Sequence, residues 1–177
     1  MQQNPSPARQ REAGGVMAVK GSAPHLGVVV PHLVVRDAQE AVEFYMRAFS
    51  AEVLYRSPSP SRDGEHVHLK IWSSLVYLST EEPGYRERKM EGAFLAAPDT
   101  LGGSTCLFQI AVPDVDAAYQ RAVDNGAVPA MAPTNMFWGD RYGWVRDPFG
   151  HIWSLCTIQE VLTPDEVETR MRRLSLR

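Results

Sequence analysis

The chain is poor in cysteine and has no long uninterrupted apolar run. Its two cysteines, Cys106 and Cys156, are too few for a disulfide framework. Both lie in apolar, strand-like runs, where a buried reduced thiol is expected. No segment approaches the roughly 18 consecutive apolar residues of a membrane span, and the N-terminus lacks the apolar region of a secretory signal. We therefore expect a cytoplasmic protein without a membrane partner.

The chain also lacks a large excess of charge of either sign. The 177 residues include 18 basic and 21 acidic side chains, a formal net charge of -3. This balance excludes the strongly basic face that is typical of nucleic-acid binding. An apolar fraction of 44% is ordinary for a globular chain of this length, so we expect a single domain that binds no nucleic acid.

What the chain does contain is a repeat. A strand-like run ends at Val35, Asp37 then caps a helix with Glu40 as its capping-box partner, and three further strand-like runs follow. A second strand-like run ends at Val112, Asp114 caps a second helix, and three runs follow again. The two caps lie 77 residues apart. A repeat of this length indicates two copies of one βαβββ unit, each of them half of a domain.

The repeat divides the chain. We interpret residues 1–24 as a flexible N-terminal tail, because they are rich in polar and small residues without periodicity. The predicted domain spans residues 25–158, with module one at 26–80, a connector at 81–103 and module two at 104–158. A connector of this length is expected to act as a flap over a site. Residues 159–177 form a predicted C-terminal helix.

Hydrophobic spacing predicts which faces are buried. We expect the first strand to run from Gly27 to Val35. In the third strand, alternation directs one row toward the helix and leaves His66, His68 and Lys70 on the other face. The predicted buried stripe of the first helix is Val42, Tyr45, Met46 and Phe49. The predicted stripe of the C-terminal helix, which would pack on the body or on a second subunit, is Val167, Met171 and Leu174.

A turn motif, Asp147-Pro148-Phe149-Gly150, precedes the last strand of module two. Together with Val34-Val35-Arg36-Asp37 and Val112-Pro113-Asp114-Val115, it resembles the vicinal oxygen chelate superfamily of glyoxalase I, extradiol dioxygenases, fosfomycin-modifying enzymes and bleomycin resistance proteins. The resemblance implies an α+β fold of two tandem βαβββ modules. Their curled mixed sheet would surround a cavity, with a C-terminal helix added. It also implies a homodimer.

The metal enzymes of that superfamily place one ligand on the first strand and one on the last strand of each module. Carried over to this chain, the four positions fall on Val30, Tyr77, Leu107 and Ser154. None of them is the histidine or carboxylate that a divalent metal site of this type uses. We therefore expect neither a metal at these positions nor another cofactor.

Strand alternation predicts what would line the cavity instead. If the positions above face it, the residues two further along do so as well, and this row is rich in imidazole, phenol, indole and amide groups. Such groups suit a planar or aromatic molecule. The predicted ligand-binding residues are His32, His66, His68, Tyr77, Gln109, Phe137, Trp138, Arg141, Tyr142, Trp144, Ser154 and Cys156.

The leading hypothesis is a small-molecule-binding protein, for an aromatic natural product or antibiotic, that resembles the drug-sequestering resistance proteins. An enzyme on the same scaffold is the alternative. It would be a metal-dependent lyase, isomerase or dioxygenase with a displaced histidine site, or a metal-free isomerase or cyclase in which His68 or His32 is the base. Cys156 lacks a partner that would activate it as a nucleophile. A third alternative, a structural interaction module, predicts a filled cavity.

Overall fold

The computed structural model describes residues 27–58, 64–81 and 95–174. The predicted N-terminal tail and the middle of the predicted connector lie outside the described residues. Eight strands and four helices are present in the described part of the chain. The strands are β1 (His32–Val35), β2 (Glu52–Pro58), β3 (Glu65–Ile71), β4 (Ser74–Thr80), β5 (Leu107–Ala111), β6 (Val128–Asn135), β7 (Asp140–Arg146) and β8 (Ile152–Ile158). The helices are α1 (Ala38–Phe49), α2 (Pro98–Leu101), α3 (Val115–Asp124) and α4 (Pro164–Leu174).

The strands form two four-stranded mixed sheets of the same topology. Sheet one has the order β1-β4-β3-β2, and sheet two has the order β5-β8-β7-β6. In each sheet the first strand pairs in parallel with the last, and the other pairs are antiparallel. The α+β fold of tandem βαβββ modules with a C-terminal helix is therefore confirmed.

The registers show how closely the modules repeat. His32 lies opposite Tyr77 in sheet one, and Gln109 lies opposite Ser154 in sheet two. Both members of the second pair are shifted by the 77 residues that separate the two helix caps. The sequence repeat therefore corresponds to equivalent places in the two sheets.

The first helix of each module begins as its sequence predicts. The Asp37 carboxylate accepts the Glu40 N–H at 2.9 Å, and the Asp114 carboxylate accepts the Ala117 N–H at 3.0 Å. The predicted stripe of α1 is wrong at one position, because Met46 is 49% exposed. Met46 and Phe44 lie about 100° to either side of Tyr45 on the helix, and the core covers the side of Phe44, which is buried.

One hydrophobic core lies between the two modules. α1 packs against α3, and the core also takes in the inner rows of both sheets, such as Val67 and Leu69 from β3 and Val145 from β7. Side chains of alternate residues therefore point away from this core, onto the outer face of each sheet. The predicted ligand-binding residues of the strands lie on these outer faces, except for Arg141 of β7, which pairs with Asp116 of α3.

Two expectations about the ends of strands are wrong. β1 begins at His32 and not at Gly27, and Val28 and Val29 are exposed. Pro31 explains the late start, since proline has no N–H for a ladder. Its carbonyl does accept the Tyr77 N–H at 2.8 Å. Cys106 is exposed rather than buried because it precedes β5, which begins at the next residue.

The C-terminal helix begins with a capping box. The Glu166 carboxylate accepts the Thr163 N–H at 2.8 Å, and the Thr163 hydroxyl accepts the Glu166 N–H at 3.4 Å. Within one chain the helix lies beside residues 135–137, but none of its described residues is buried. Met171 is 47% and Leu174 56% exposed. The described helices include none that is both long and apolar enough to cross a bilayer.

The ends of the connector are fixed to the body. The Glu81 carboxylate accepts the Ala97 N–H at 3.0 Å and the Thr100 hydroxyl at 2.7 Å. Asp99 of α2 forms ion pairs with Arg36 of module one and Arg146 of module two. This described end of the connector therefore joins the two modules.

Candidate functional site: two outer sheet faces

The outer face of sheet one carries a contiguous group of rings, which we call the ring cluster: His32, His66, His68 and Tyr77. β1, β3 and β4 are neighbours in the sheet, and their registers place these side chains side by side. His32 is exposed, and the other three members are half-buried. Because the core lies on the opposite side of the sheet, these rings do not contribute to core packing.

The ring cluster is closely packed. His68 stacks on Tyr77 with ring centroids 4.1 Å apart. His66 contacts His68 and His32 edge to face, at 4.9 and 5.3 Å. The Nε2 atoms of His66 and His68 lie 3.0 Å apart, so one imidazole donates and the other accepts. Such a group presents ring faces and nitrogen atoms together on a partly exposed surface.

His32 occupies the exposed end of the ring cluster. Its Nε2 lies 3.0 Å from the Ser79 hydroxyl. Burial lowers the pKa of His32 below its ordinary value of 6.5, and the nearby His66 and His68 lower it further. A lowered pKa favours the neutral imidazole at neutral pH, which can accept or donate a hydrogen bond.

Tyr55 also belongs to this face, although the strand pattern of the sequence does not predict it. Its ring lies 5.1 Å from that of His68 and is 53% exposed, so it extends the ring cluster toward β2. The register of β2 shifts between Val53 and Tyr55. An irregularity of this kind breaks simple alternation, and for that reason strand pattern alone does not place Tyr55 on this face.

The outer face of sheet two carries different chemistry. Gln109, Trp144 and Ser154 share a row across three strands, and Tyr142 lies opposite Cys156. Ser154 and Cys156 are buried, and Gln109 is exposed. The Gln109 amide donates weakly to the Cys156 sulfur at 3.7 Å.

Two groups on this second face bear on reactivity. Burial raises the pKa of the Cys156 thiol, and nearby Asp140 raises it further, which disfavours a nucleophilic thiolate. The indole N–H of Trp144 is buried and meets no hydrogen-bond acceptor among the described residues. A buried donor of this kind is uncommon in a folded protein.

The aromatic residues near the start of β7 contact one another, whereas Arg141 points elsewhere. Phe137, Trp138 and Tyr142 form a chain of edge-to-face contacts at 4.9 and 5.6 Å. Trp138 donates its indole N–H to Asp140 at 3.0 Å. Arg141 does not join them, because its guanidinium pairs with Asp116 of α3 at 2.6 Å, on the helix side of the sheet. It also bonds the Asn135 side chain at 3.1 Å.

The positions that carry the metal ligands in the resembled enzymes do not form a ligand set in this structure. Tyr77 stacks on His68, and Ser154 is fully buried with its hydroxyl 3.4 Å from the Phe108 carbonyl oxygen. Val30 and Leu107 offer no donor atom. In residues 27–58, 64–81 and 95–174 no group of three or more His, Cys, Asp or Glu is arranged to hold a metal ion. This donor set does not fit a divalent metal.

Asp147, at the start of the turn before β8, has a structural role that its turn motif does not predict. Its buried carboxylate accepts the Tyr45 hydroxyl at 2.6 Å and the Trp153 indole N–H at 2.9 Å. It also accepts the backbone N–H groups of Phe149 and His151. Because Tyr45 belongs to α1, this carboxylate links the two modules through their common core.

Comparison with known proteins agrees with this architecture. The sequence profile of the Glyoxalase/Bleomycin resistance protein/Dioxygenase superfamily matches residues 23–155. An uncharacterized protein of Mycobacterium tuberculosis is 41% identical over 141 residues, which are 80% of this chain and 80% of that protein. A protein of Mycobacterium bovis is also 41% identical over 141 residues, which make up 90% of its length.

Solved structures show the same fold. TioX from Micromonospora sp. ML1 has a TM-score of 0.54 and 28% identity, covering 73% of this chain and 97% of TioX. A gene product from Arabidopsis thaliana has a TM-score of 0.55 and 27% identity, covering 72% of this chain and 95% of that one. The fosfomycin resistance protein FosX from Listeria monocytogenes shares the fold at 17% identity and a TM-score of 0.55, covering 80% and 98%.

Proposed function

Because the chain belongs to the Glyoxalase/Bleomycin resistance protein/Dioxygenase superfamily, we propose that it binds a planar aromatic small molecule, without a metal, on its outer sheet faces. An aromatic natural product or antibiotic fits the chemistry of these faces. The work of the protein is binding rather than bond-making. The free state of both cysteines supports a reducing, cytoplasmic location.

The ring cluster is the observation that carries this proposal. Four ring side chains, joined by Tyr55, lie on a face that is not part of the core. A flat ligand would stack on this group, with each aromatic pair contributing about 0.5–1.5 kcal/mol beyond the burial of area. The imidazole nitrogens and the Ser79 hydroxyl would orient its polar atoms.

A second copy of the chain would complete the site. The ring cluster and the residues of the second face are carried by separate sheets, and the apolar stripe of α4 is exposed within one chain. We therefore infer a homodimer in which the ring cluster of one subunit faces the Trp144 surface of the other. Sedimentation velocity at micromolar concentration should give the mass of two chains.

The proposal is tested by titrating the protein with a panel of aromatic antibiotics while intrinsic tryptophan fluorescence is recorded. A ligand that saturates the signal is then titrated into Tyr77→Ala. We expect at least about a tenfold loss of affinity, since the substitution removes one stacking surface and exposes the His68 ring.

Lys70→Ala is the matched control. Lys70 lies on β3, on the same face as His68 and one pleat away, but its ammonium reaches Glu52 at 3.4 Å and not the rings. It should keep wild-type affinity. Equal affinity of the wild type and Tyr77→Ala for every ligand that binds would remove the ring cluster from the site.

One observation favours a second candidate function, a metal-free isomerase or cyclase. His32 combines a lowered pKa, an exposed position and a hydrogen bond to Ser79, which are properties of a general base. In that case turnover of the bound ligand would be seen by chromatography, and His32→Gln would abolish turnover while retaining binding. Metal analysis of protein purified without chelator separates both candidates from the displaced-metal alternative: one equivalent of metal would contradict them.

A further inference from the structure

A cleft separate from the ring cluster lies between the modules. It has a volume of about 400 Å³ and opens between the β3–β4 turn of module one and β5, the edge strand of module two. This volume falls within the range of small-molecule sites, roughly 300–1,000 Å³. No residue of the ring cluster lines the cleft.

The lining of the cleft is neutral and partly aromatic. Trp72, Phe108 and Trp153 supply rings, and Gln109, Ser73 and Ser74 supply polar groups. Among the described residues that line it, none carries a charge. A neutral lining gives no compensation for a desolvated ionic group, so it favours an uncharged ligand.

Trp72 stands at the mouth of the cleft in an unusual conformation. Its φ is 53°, in the left-handed region, and its side chain is 38% exposed. A bulky aromatic residue seldom adopts this backbone conformation, which glycine adopts without strain. Trp72 is the first of the two residues that join β3 to β4, and a hairpin loop of this length uses a positive φ there. Tryptophan at this position therefore keeps its ring beside the cleft at a conformational cost.

In the described part of the chain, the turn of module two that matches the β3–β4 turn has no open cleft beside it. Counting 77 residues onward, Ser73 corresponds to Gly150 in the turn before β8. There α2 fills the adjacent space, since a Cβ built on Gly150 would lie 2.9 Å from the Pro98 side chain and 2.7 Å from the Asp99 carboxylate. Module two therefore covers its turn with a segment of the chain, whereas the described residues leave the matching turn of module one beside an open cleft.

We propose that this cleft is a second binding site, for a neutral aromatic molecule of about two rings, with Trp72 as its lid. The ligand lies against Phe108 and Trp153 and makes hydrogen bonds with the Gln109 amide or the serine hydroxyls. The site shares Gln109 with the edge of the outer face of sheet two and shares no residue with the ring cluster.

The test uses 6-propionyl-2-(dimethylamino)naphthalene, a neutral two-ring dye whose emission shifts to shorter wavelength in an apolar environment. The wild-type chain should bind it saturably, with one molecule per chain. Trp72→Gly should weaken binding at least about tenfold, because it removes one aromatic wall. The melting temperature should not fall, because glycine adopts the left-handed φ of this position.

Two further variants make the result decisive. Ala111→Phe places a ring in the cleft from an exposed position of β5 and should also abolish probe binding. Tyr55→Ala, on the outer face of sheet one, should leave probe binding unchanged. The proposal is overturned if the wild type shows no saturable binding, if Trp72→Gly binds within twofold of wild type, or if Tyr55→Ala alone loses the probe.

Discussion

The two modules repeat one backbone fold but place different side chains at the position that opens the turn before the last strand. In module two that position is Asp147, which is 1% exposed and accepts hydrogen bonds from Tyr45 and Trp153. The equivalent position of module one is Ile71, which pairs with Ser74 as Asp147 pairs with His151, and which is a buried aliphatic side chain. Equivalent places in a repeat therefore need not share a role, because each turn meets a different part of the other module.

The outer faces diverge in the same way. His32 and Tyr77 on sheet one correspond to Gln109 and Ser154 on sheet two. The first pair belongs to a packed group of rings, whereas the second is an exposed amide beside a buried hydroxyl. One copy of the repeat thus offers ring stacking, and the other offers an indole and hydrogen-bonding groups. The difference between the faces is the basis of the proposed two-sided site.

The largest effect is expected where the two modules differ most. Asp147→Ala should lower the free energy of unfolding by about 4 kcal/mol, because it leaves buried donors of Tyr45, Trp153 and the turn without an acceptor. The control, Lys70→Ala, should change it by about 0.5 kcal/mol or less, as is usual for an exposed side chain. Urea denaturation followed by circular dichroism measures both. Similar losses in the two variants would show that the Asp147 carboxylate has no special structural role.

A smaller effect isolates the link between modules. Tyr45→Phe removes only the hydroxyl that donates to Asp147, and should cost about 1.5 kcal/mol, since the bond is to a charged acceptor. Burial first and the Asp147 carboxylate second raise the pKa of Tyr45 well above its ordinary value, so the hydroxyl stays protonated as a donor. Tyr119→Phe on α3 is the control, because no acceptor for its hydroxyl is found within the described ranges. A loss in Tyr119→Phe as large as in Tyr45→Phe would contradict this reading.

The smallest effect concerns pH and the ring cluster. NMR titration should place the pKa of His32 below 6.5, and His66→Gln should move it upward by removing one of the neighbouring rings that lower it. A lowered folded pKa means that the unfolded chain takes up the proton first. The contribution of His32 to the free energy of unfolding is therefore complete above about pH 6.5, and it declines as the pH falls through the pKa of His32 in the folded chain. A His32 pKa at or above 6.5 would contradict the packed arrangement of the rings.

The sequence predicts most of the fold because local signals agree with one another. The helix caps at Asp37 and Asp114 are both found as predicted. Alternation in β3 places Val67 and Leu69 in the core. Each of these signals depends on residues within a few positions along the chain, so a single sequence is enough to read them.

Several features could not be predicted from the sequence because they depend on residues that are far apart in the chain. Tyr55 joins the ring cluster only through an irregular register in β2. Asp147 becomes a buried acceptor only when Tyr45, 102 positions away, comes into contact with it. The exposure of Met46 likewise depends on which side of α1 meets α3 and the sheets. None of these contacts has a local sequence signal.

The amino-acid sequence by itself determined the repeat, the caps, the strand faces and the superfamily, because periodic burial and turn chemistry are encoded locally. It also excluded the family's metal donors at Val30, Tyr77, Leu107 and Ser154, since donor chemistry is fixed by residue type. Only the tertiary structure decided that the histidines pack as one group, that Arg141 turns to Asp116 and that a cleft opens beside Trp72. These outcomes depend on how two sheets and their helices share one core, and long-range packing sets that arrangement.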